Sequence, residues 1–228
     1  MIYTEFVETS SETEYPTTLR VTDRGLDKYR EYVRFIPETL PQSAVIVNVG
    51  GGENQTFESE LAIVRPDVKI ITLDPSIHSK ESVHQQGPDI FRKLSESEVR
   101  TRIESLPNKN RTIDAYGQDI PLRAESVDAI LDVHAASQWA SSLESYKRFL
   151  TESMRVLKIG GKLYIDNVYF GDPIPGDEAS EISAIKEARN VFDSLNMEAD
   201  IFLSVEGTDT VNGVRVPDRR VCAIVTKY

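Results

Sequence analysis

Apolar residues in this chain fall into short runs, and between the runs they recur every three or four positions; the two patterns alternate along most of its length. The first run, Ala44-Val45-Ile46-Val47-Asn48-Val49, is almost wholly apolar and stops at Gly50-Gly51-Gly52. A strand that is apolar on both faces belongs in the middle of a covered sheet. Phe57, Leu61 and Val64 then recur at helical spacing, which predicts a helix with Glu58 and Glu60 facing out. Val68 to Leu73 is a second strand, and Asp74-Pro75-Ser76 ends it because proline cannot continue the pairing. Residues 77 to 111 are polar, with a capped helix predicted where Ser95-Glu96-Ser97-Glu98 precedes Val99, Ile103 and Leu106.

The second half repeats the alternation. Thr112 to Tyr116 is a third strand, Ile120-Pro121-Leu122 a turn, and Val127 to Val133 a fourth strand that runs into His134. Leu143, Tyr146, Leu150, Met154 and Leu157 share one helical face, and Gly160-Gly161 is predicted to end that helix in left-handed geometry. Lys162 to Asn167 is the fifth strand. Beyond the Pro/Gly-rich loop at Gly171 to Gly176, Ile182, Ile185, Ala188, Val191 and Leu195 predict another amphipathic helix. Ala199 to Val205 and Arg220 to Thr226 then pair antiparallel, joined by a connection longer than a tight hairpin. Strands alternating with helices make a parallel sheet covered on both faces, an α/β fold. Residues 1–228 form a single domain: 1–43 an N-terminal cover over the ligand site, with a helix through Leu26, Tyr29, Tyr32 and Val33, and 44–228 the α/β core.

Composition narrows the environment. At 228 residues and 39% hydrophobic content the chain can build one full core. No apolar run is long enough to cross a membrane, and the amino terminus lacks the features of a signal peptide, so the expected location is cytoplasmic. The single cysteine, Cys222, lies in an apolar run and reads as a small core side chain. With 37 acidic against 26 basic side chains the net charge is −11, and the basic residues occur as scattered pairs. Such a field repels polyphosphate chains, which disfavours nucleic acid and suits a small molecule or a cationic ligand. Nothing in the pattern specifies an oligomeric state.

The candidate chemistry gathers at the first strand. A glycine turn between a buried strand and a helix lets backbone N–H groups approach a ligand, with the positive helix end behind them. Gly50 and Gly52 match two positions of the dinucleotide fingerprint, but Gln55 stands where its third glycine is needed, which weakens the case for NAD. Asp74, 22 residues after Gly52 at the next strand end, can accept hydrogen bonds from both ribose hydroxyls. His134 is a candidate general base that Asp132, two residues earlier on the strand, would orient; the alternative is that both bind the cofactor or the adjacent loop. Trp139 reads as a packing residue. His78, His84 and His134 have no ligand spacing, so no metal site is expected.

Four stretches resemble the motifs of class I S-adenosylmethionine-dependent methyltransferases, which have a Rossmann-like fold. They are Val47-Asn48-Val49-Gly50-Gly51-Gly52, Leu73-Asp74-Pro75-Ser76, Ile120 to Ile130, and Arg155-Val156-Leu157-Lys158-Ile159-Gly160-Gly161-Lys162-Leu163. The resemblance implies three layers around a mostly parallel seven-stranded sheet of order 3-2-1-4-5-7-6 with an antiparallel last strand. It implies S-adenosylmethionine as cofactor, bound by Asn48, Gly50, Gly51, Gly52, Asp74, Pro75, Tyr116, Gln118, Asp119 and Asp132, and methyl transfer to a small-molecule acceptor. The chain departs from the family in three places: Asn48 replaces the usual acid, Asn54 replaces a frequent third glycine, and Tyr116 stands where an Asp usually meets adenine, with Gln118 and Asp119 the nearest substitutes. Those departures motivate a binding or regulatory protein of the same fold without transferase activity. Gly50-Gly51-Gly52-Glu53-Asn54 also partly resembles the turn of spermidine synthases, but Asp132-Val133-His134-Ala135-Ala136 lacks their acidic run, which ranks aminopropyl transfer lower.

Overall fold

The structure, a computed structural model, describes residues 25–51, 56–74, 111–113, 115–133, 135–136, 140–168, 173–211 and 214–228. The strands are β1 (Val45–Val49), β2 (Lys69–Leu73), β3 (Arg111–Ile113), β4 (Val127–Val133), β5 (Leu157–Asp166), β6 (Ala199–Val211) and β7 (Val214–Thr226). They form one sheet in the expected order, β3-β2-β1-β4-β5-β7-β6. Pairs from β3 to β5 are parallel, and β7 runs antiparallel to both β5 and β6. Alternate strand residues serve two cores. Val47, Val49, Ile130, Leu163 and Ile165 pack under α3 (Leu143–Val156) and α4 (Glu178–Ser194). Ile46, Ile70, Ala129, Leu131 and Tyr164 pack under α1 (Leu26–Val33) and α2 (Thr56–Val64).

The amino-terminal helix forms where its pattern placed it, burying Leu26, Tyr29, Tyr32 and Val33. Its first N–H is capped from another helix: Leu26 N donates to Glu60 Oε2 at 2.6 Å. Tyr29 stacks on Phe57 of α2 with ring centroids 3.9 Å apart.

Four expectations need correction. The helix before β5 does not end at Gly160; it stops at Val156 with Leu157 already extended, and Gly160, left-handed at φ 79°, lies within β5. The register explains why: Val127 pairs with Leu157 but Ala129 with Lys162, so surplus residues of β5 must bulge out. Helix phases also differ. Ile182 is exposed on α4 while Glu181 is buried and bound by Arg219 Nη1 at 2.8 Å; Val64 is exposed on α2 while Glu58 is fully buried. The last two strands are longer than the pattern suggested. Val211 pairs with Val214, leaving only Asn212 and Gly213 between them, so the connection is short.

The sequence motifs around β4 and β5 prove to be one structural joint. Arg155 donates to the carbonyls of Ile120 at 2.8 Å and Leu122 at 2.9 Å, holding the turn before β4 against α3. Lys158 donates to both carboxylate oxygens of Asp128, at 2.8 and 2.9 Å, while Asp128 Oδ2 also accepts from Val45 N of β1 at 2.8 Å. Three neighbouring strands are thereby tied at their amino-terminal ends, opposite the edge that carries the site.

Candidate functional site

Parallel register sets the level of the site. Val49 lies opposite Leu73 on one side and Asp132 on the other, so the next residues, Gly50, Asp74 and Val133, share the carboxyl edge of the sheet. This is where a doubly wound sheet opens a crevice, and β1 is flanked here by strands whose connections leave in opposite directions. Gly50 turns the chain away with φ 69°, and its N–H donates to Leu73 O at 2.7 Å. A side chain there would collide with the Cβ of Ala135, from the segment after β4, so the turn is backed by β4's own exit. At Gly51 an added Cβ would meet Glu58 Oε1 at 2.5 Å, Thr72 Cγ2 at 2.6 Å and Asn48 Nδ2 at 3.0 Å. Only glycine leaves this backbone free to approach a ligand.

Behind the turn lies a buried polar group that the sequence pattern missed. Asn48 is fully buried; its Oδ1 accepts from Tyr29 Oη at 3.1 Å and its Nδ2 donates to Glu58 Oε1 at 2.6 Å. Thr72 Oγ1 donates to the same oxygen at 2.9 Å. Burial raises the Glu58 carboxyl above the usual glutamate range, opposed by the hydrogen bonds of Asn48, its own backbone N–H and Thr72 and reinforced by the charge of Asp74. A carboxyl group therefore does lie at the end of β1, supplied by α2. The available signal was phase: Glu58 is three and four residues before Leu61 and Ala62, both buried, and shares their face.

The other expected site residues separate. Asp74 is buried at the end of β2, its N–H donating to Ile113 O at 3.2 Å, and is in register with the glycine turn. Asp132 is fully buried on the opposite face, toward α3, where burial and then its charge push the Tyr146 phenol well above its ordinary value. Tyr116, 43% exposed, follows β3, with Asp119 exposed in the turn it begins. Gln118 is directed to α3 instead, its Nε2 donating to Ser145 Oγ at 3.2 Å. Gly52, Pro75, His134, His78, His84, Trp139 and the helix expected after Ser95 lie outside the described residues. Among the described residues no group of His, Cys, Asp or Glu is arranged to hold a metal ion. Cys222 is buried, and burial and then the Asp166 carboxylate push its thiol well above the ordinary cysteine range.

The residues present fit a nucleoside-bearing cofactor: a glycine cradle that any Cβ would fill, with a buried carboxylate at the neighbouring strand end to receive ribose hydroxyls. No curated protein sequence matches the chain. Solved structures similar to it share the fold at low identity. The S-adenosylmethionine-dependent methyltransferase of Methanosarcina mazei is 14% identical, with TM-score 0.51 over 83% of this chain and 95% of that one. The N-methyltransferase NodS of Bradyrhizobium japonicum is 9% identical, with TM-score 0.55 over 88% and 94%. Precorrin-6y C5,15-methyltransferase of Geobacter metallireducens is 10% identical, with TM-score 0.50 over 89% and 87%. A family model described as a methyltransferase domain matches residues 48–165, which contain the glycine turn, Asp74 and the joint of β4 with β5. Spanning just over half of the chain, that match and the fold together identify the protein as a member of the S-adenosylmethionine-dependent methyltransferase family.

Proposed function

We propose that this protein transfers the methyl group of S-adenosylmethionine to a small-molecule acceptor in the cytoplasm. The observation that carries the reading is the registered pair at the carboxyl edge: a side-chain-free turn at Gly50 and Gly51 beside the buried carboxylate of Asp74. S-adenosylmethionine supplies a methyl group activated by a positively charged sulfonium. Asp74 would accept hydrogen bonds from the ribose hydroxyls and the Gly50–Gly51 backbone would admit the methionine portion, while Asp132 lies at the end of β4 on the side toward α3. With the cofactor bound, the acceptor's nucleophile would form its bond to the methyl carbon as the carbon–sulfur bond broke, and the acceptor's proton would pass to a base or to solvent. Such chemistry depends on alignment more than on a dedicated side chain.

The small-molecule class is supported by charge. A net charge of −11 opposes a polyanionic acceptor. The test is titration calorimetry with S-adenosylmethionine followed by product analysis on a metabolite panel, an RNA pool and a protein lysate. Binding in the micromolar range and methylated metabolite are expected. No binding at millimolar cofactor sinks the reading as a whole, and label appearing only in RNA or protein sinks the acceptor class. Cofactor bound without product in any pool favours a regulatory protein, for which the commitment of Asn48 to Tyr29 and Glu58 is the motivating observation.

A further inference from the structure

Of the buried ionisable groups in the described residues, Glu58 is the one placed to report on the glycine turn. Its side chain is fully buried. Oε1 accepts two hydrogen bonds, from Asn48 Nδ2 and Thr72 Oγ1, and the same oxygen is what an added Cβ on Gly51 would strike first. Oε2 is buried with no hydrogen-bond partner among the described residues. Asn48 cannot turn over to donate elsewhere without abandoning the Tyr29 hydroxyl that its Oδ1 accepts, and Tyr29 is itself held by its stack on Phe57. The carboxyl is thus fixed against the inner side of the turn by three elements, α1, β1 and β2. Among the described residues the groups around it are Asn48, with Tyr29 behind, its own backbone N–H, Thr72 and Asp74; of these only Asp74 carries charge, and its sign opposes ionisation of Glu58.

We propose that Glu58 is a positioning residue that senses the cofactor's cationic end: it underlies Gly51 as an uncharged carboxyl and releases its proton to solvent when a cation settles beyond the turn. The inference rests on the reading of the site given under Proposed function. Two features carry it. An oxygen buried without a partner is unfavourable as part of a carboxylate and far less so as part of a neutral acid. A positive charge brought close in a poorly hydrated setting restores the balance toward the anion. In this arrangement the strand residue Asn48 aims the carboxyl and the helix residue Glu58 supplies it.

The experiment is calorimetric titration of the full chain with S-adenosylmethionine between about pH 5 and pH 7, below the ordinary range of an α-amino group, in pairs of buffers with different ionisation heats. The wild type is expected to release up to one proton per cofactor bound, and its affinity to rise by up to about tenfold per pH unit across the window. Adenosine, which lacks both cationic groups, is expected to bind without proton release. Glu58→Gln keeps an oxygen for Asn48 and Thr72 and has no proton to give; it should match the wild type at the acid end and bind with a pH-independent affinity. Equal proton release by wild type and Glu58→Gln overturns the proposal, as does a wild-type affinity that is flat over the window. If Glu58→Gln does not fold, the wild-type comparison decides alone: equal proton release with adenosine and with S-adenosylmethionine overturns it. Absence of any cofactor binding is a different failure, that of the underlying reading.

Discussion

Gly50 and Gly160 have the same backbone geometry and opposite surroundings, which makes them a matched pair of tests. Both have positive φ, 69° and 79°, but a Cβ at Gly50 strikes Ala135 whereas at Gly160 nothing lies within 4 Å. Gly160→Ala should cost about 1–2 kcal/mol of stability, the expense of a left-handed side-chain-bearing residue, and leave cofactor binding unchanged. Gly50→Ala carries that cost plus the collision, and should lower cofactor affinity at least tenfold in calorimetry even where the melting curve shows a folded protein. Asp74 is tested with adenosine, which needs the ribose contact and nothing from the methionine end. Asp74→Asn should weaken adenosine by roughly 10- to 100-fold, the worth of charge-assisted hydrogen bonds of about 1.5–3 kcal/mol. An unchanged affinity would place the nucleoside elsewhere on the edge.

At the level of elements, the joint between β4 and β5 explains why two of the recognisable motifs are structural. Arg155 satisfies the carbonyls of Ile120 and Leu122, and Glu125 and Ser126 donate their N–H groups to the carbonyls of Arg155 and Val156. Arg155→Ala should destabilise the fold by about 1–3 kcal/mol in urea denaturation, through carbonyls left without a donor. Cofactor affinity of the surviving folded fraction should stay within a few-fold of wild type, because Arg155 lies at the far end of β4 from the site. The core of β1, β2 and β4 was legible in the sequence because strands apolar on both faces have few other places to go, whereas the strand order followed from the resemblance of the four motifs to the methyltransferase family. Helix phase was less legible. Glu58 and Glu60 were both assigned outward on polarity; Glu60 is exposed and from there caps α1, but Glu58 is buried against Asn48 of β1. The local mark of Glu58 was its phase with Leu61 and Ala62, which its polarity outweighed because the partners that satisfy it come from other elements. The bulge at Gly160 was missed for a related reason: it is set by the register against β4, which the local pattern does not contain.

For the molecule as a whole, Glu58 leaves a signature in the pH dependence of stability. A carboxyl whose folded-state affinity for protons exceeds its unfolded one favours folding below the unfolded value and loses that contribution as pH rises through the folded value. The difference in melting temperature between wild type and Glu58→Gln should therefore move in favour of the variant from about pH 4.5 upward, levelling off above the folded-state value. A difference that is constant with pH would mean that Glu58 titrates alike in both states. The order of strands has a consequence for assembly. β6 touches the rest of the sheet only through β7, which follows it in the chain and lies between it and β5. During synthesis β6 can rest on α1, as Ser204 does on Glu31 O, but it has no strand to pair with until β7 has emerged, and the Val211 and Val214 pairing lets the two zip together locally first. The β6–β7 pair then closes the sheet as a preformed two-stranded unit, so the half built on β1, β2 and β4, which carries the glycine turn, can be complete while the edge of β5 still waits for its partner.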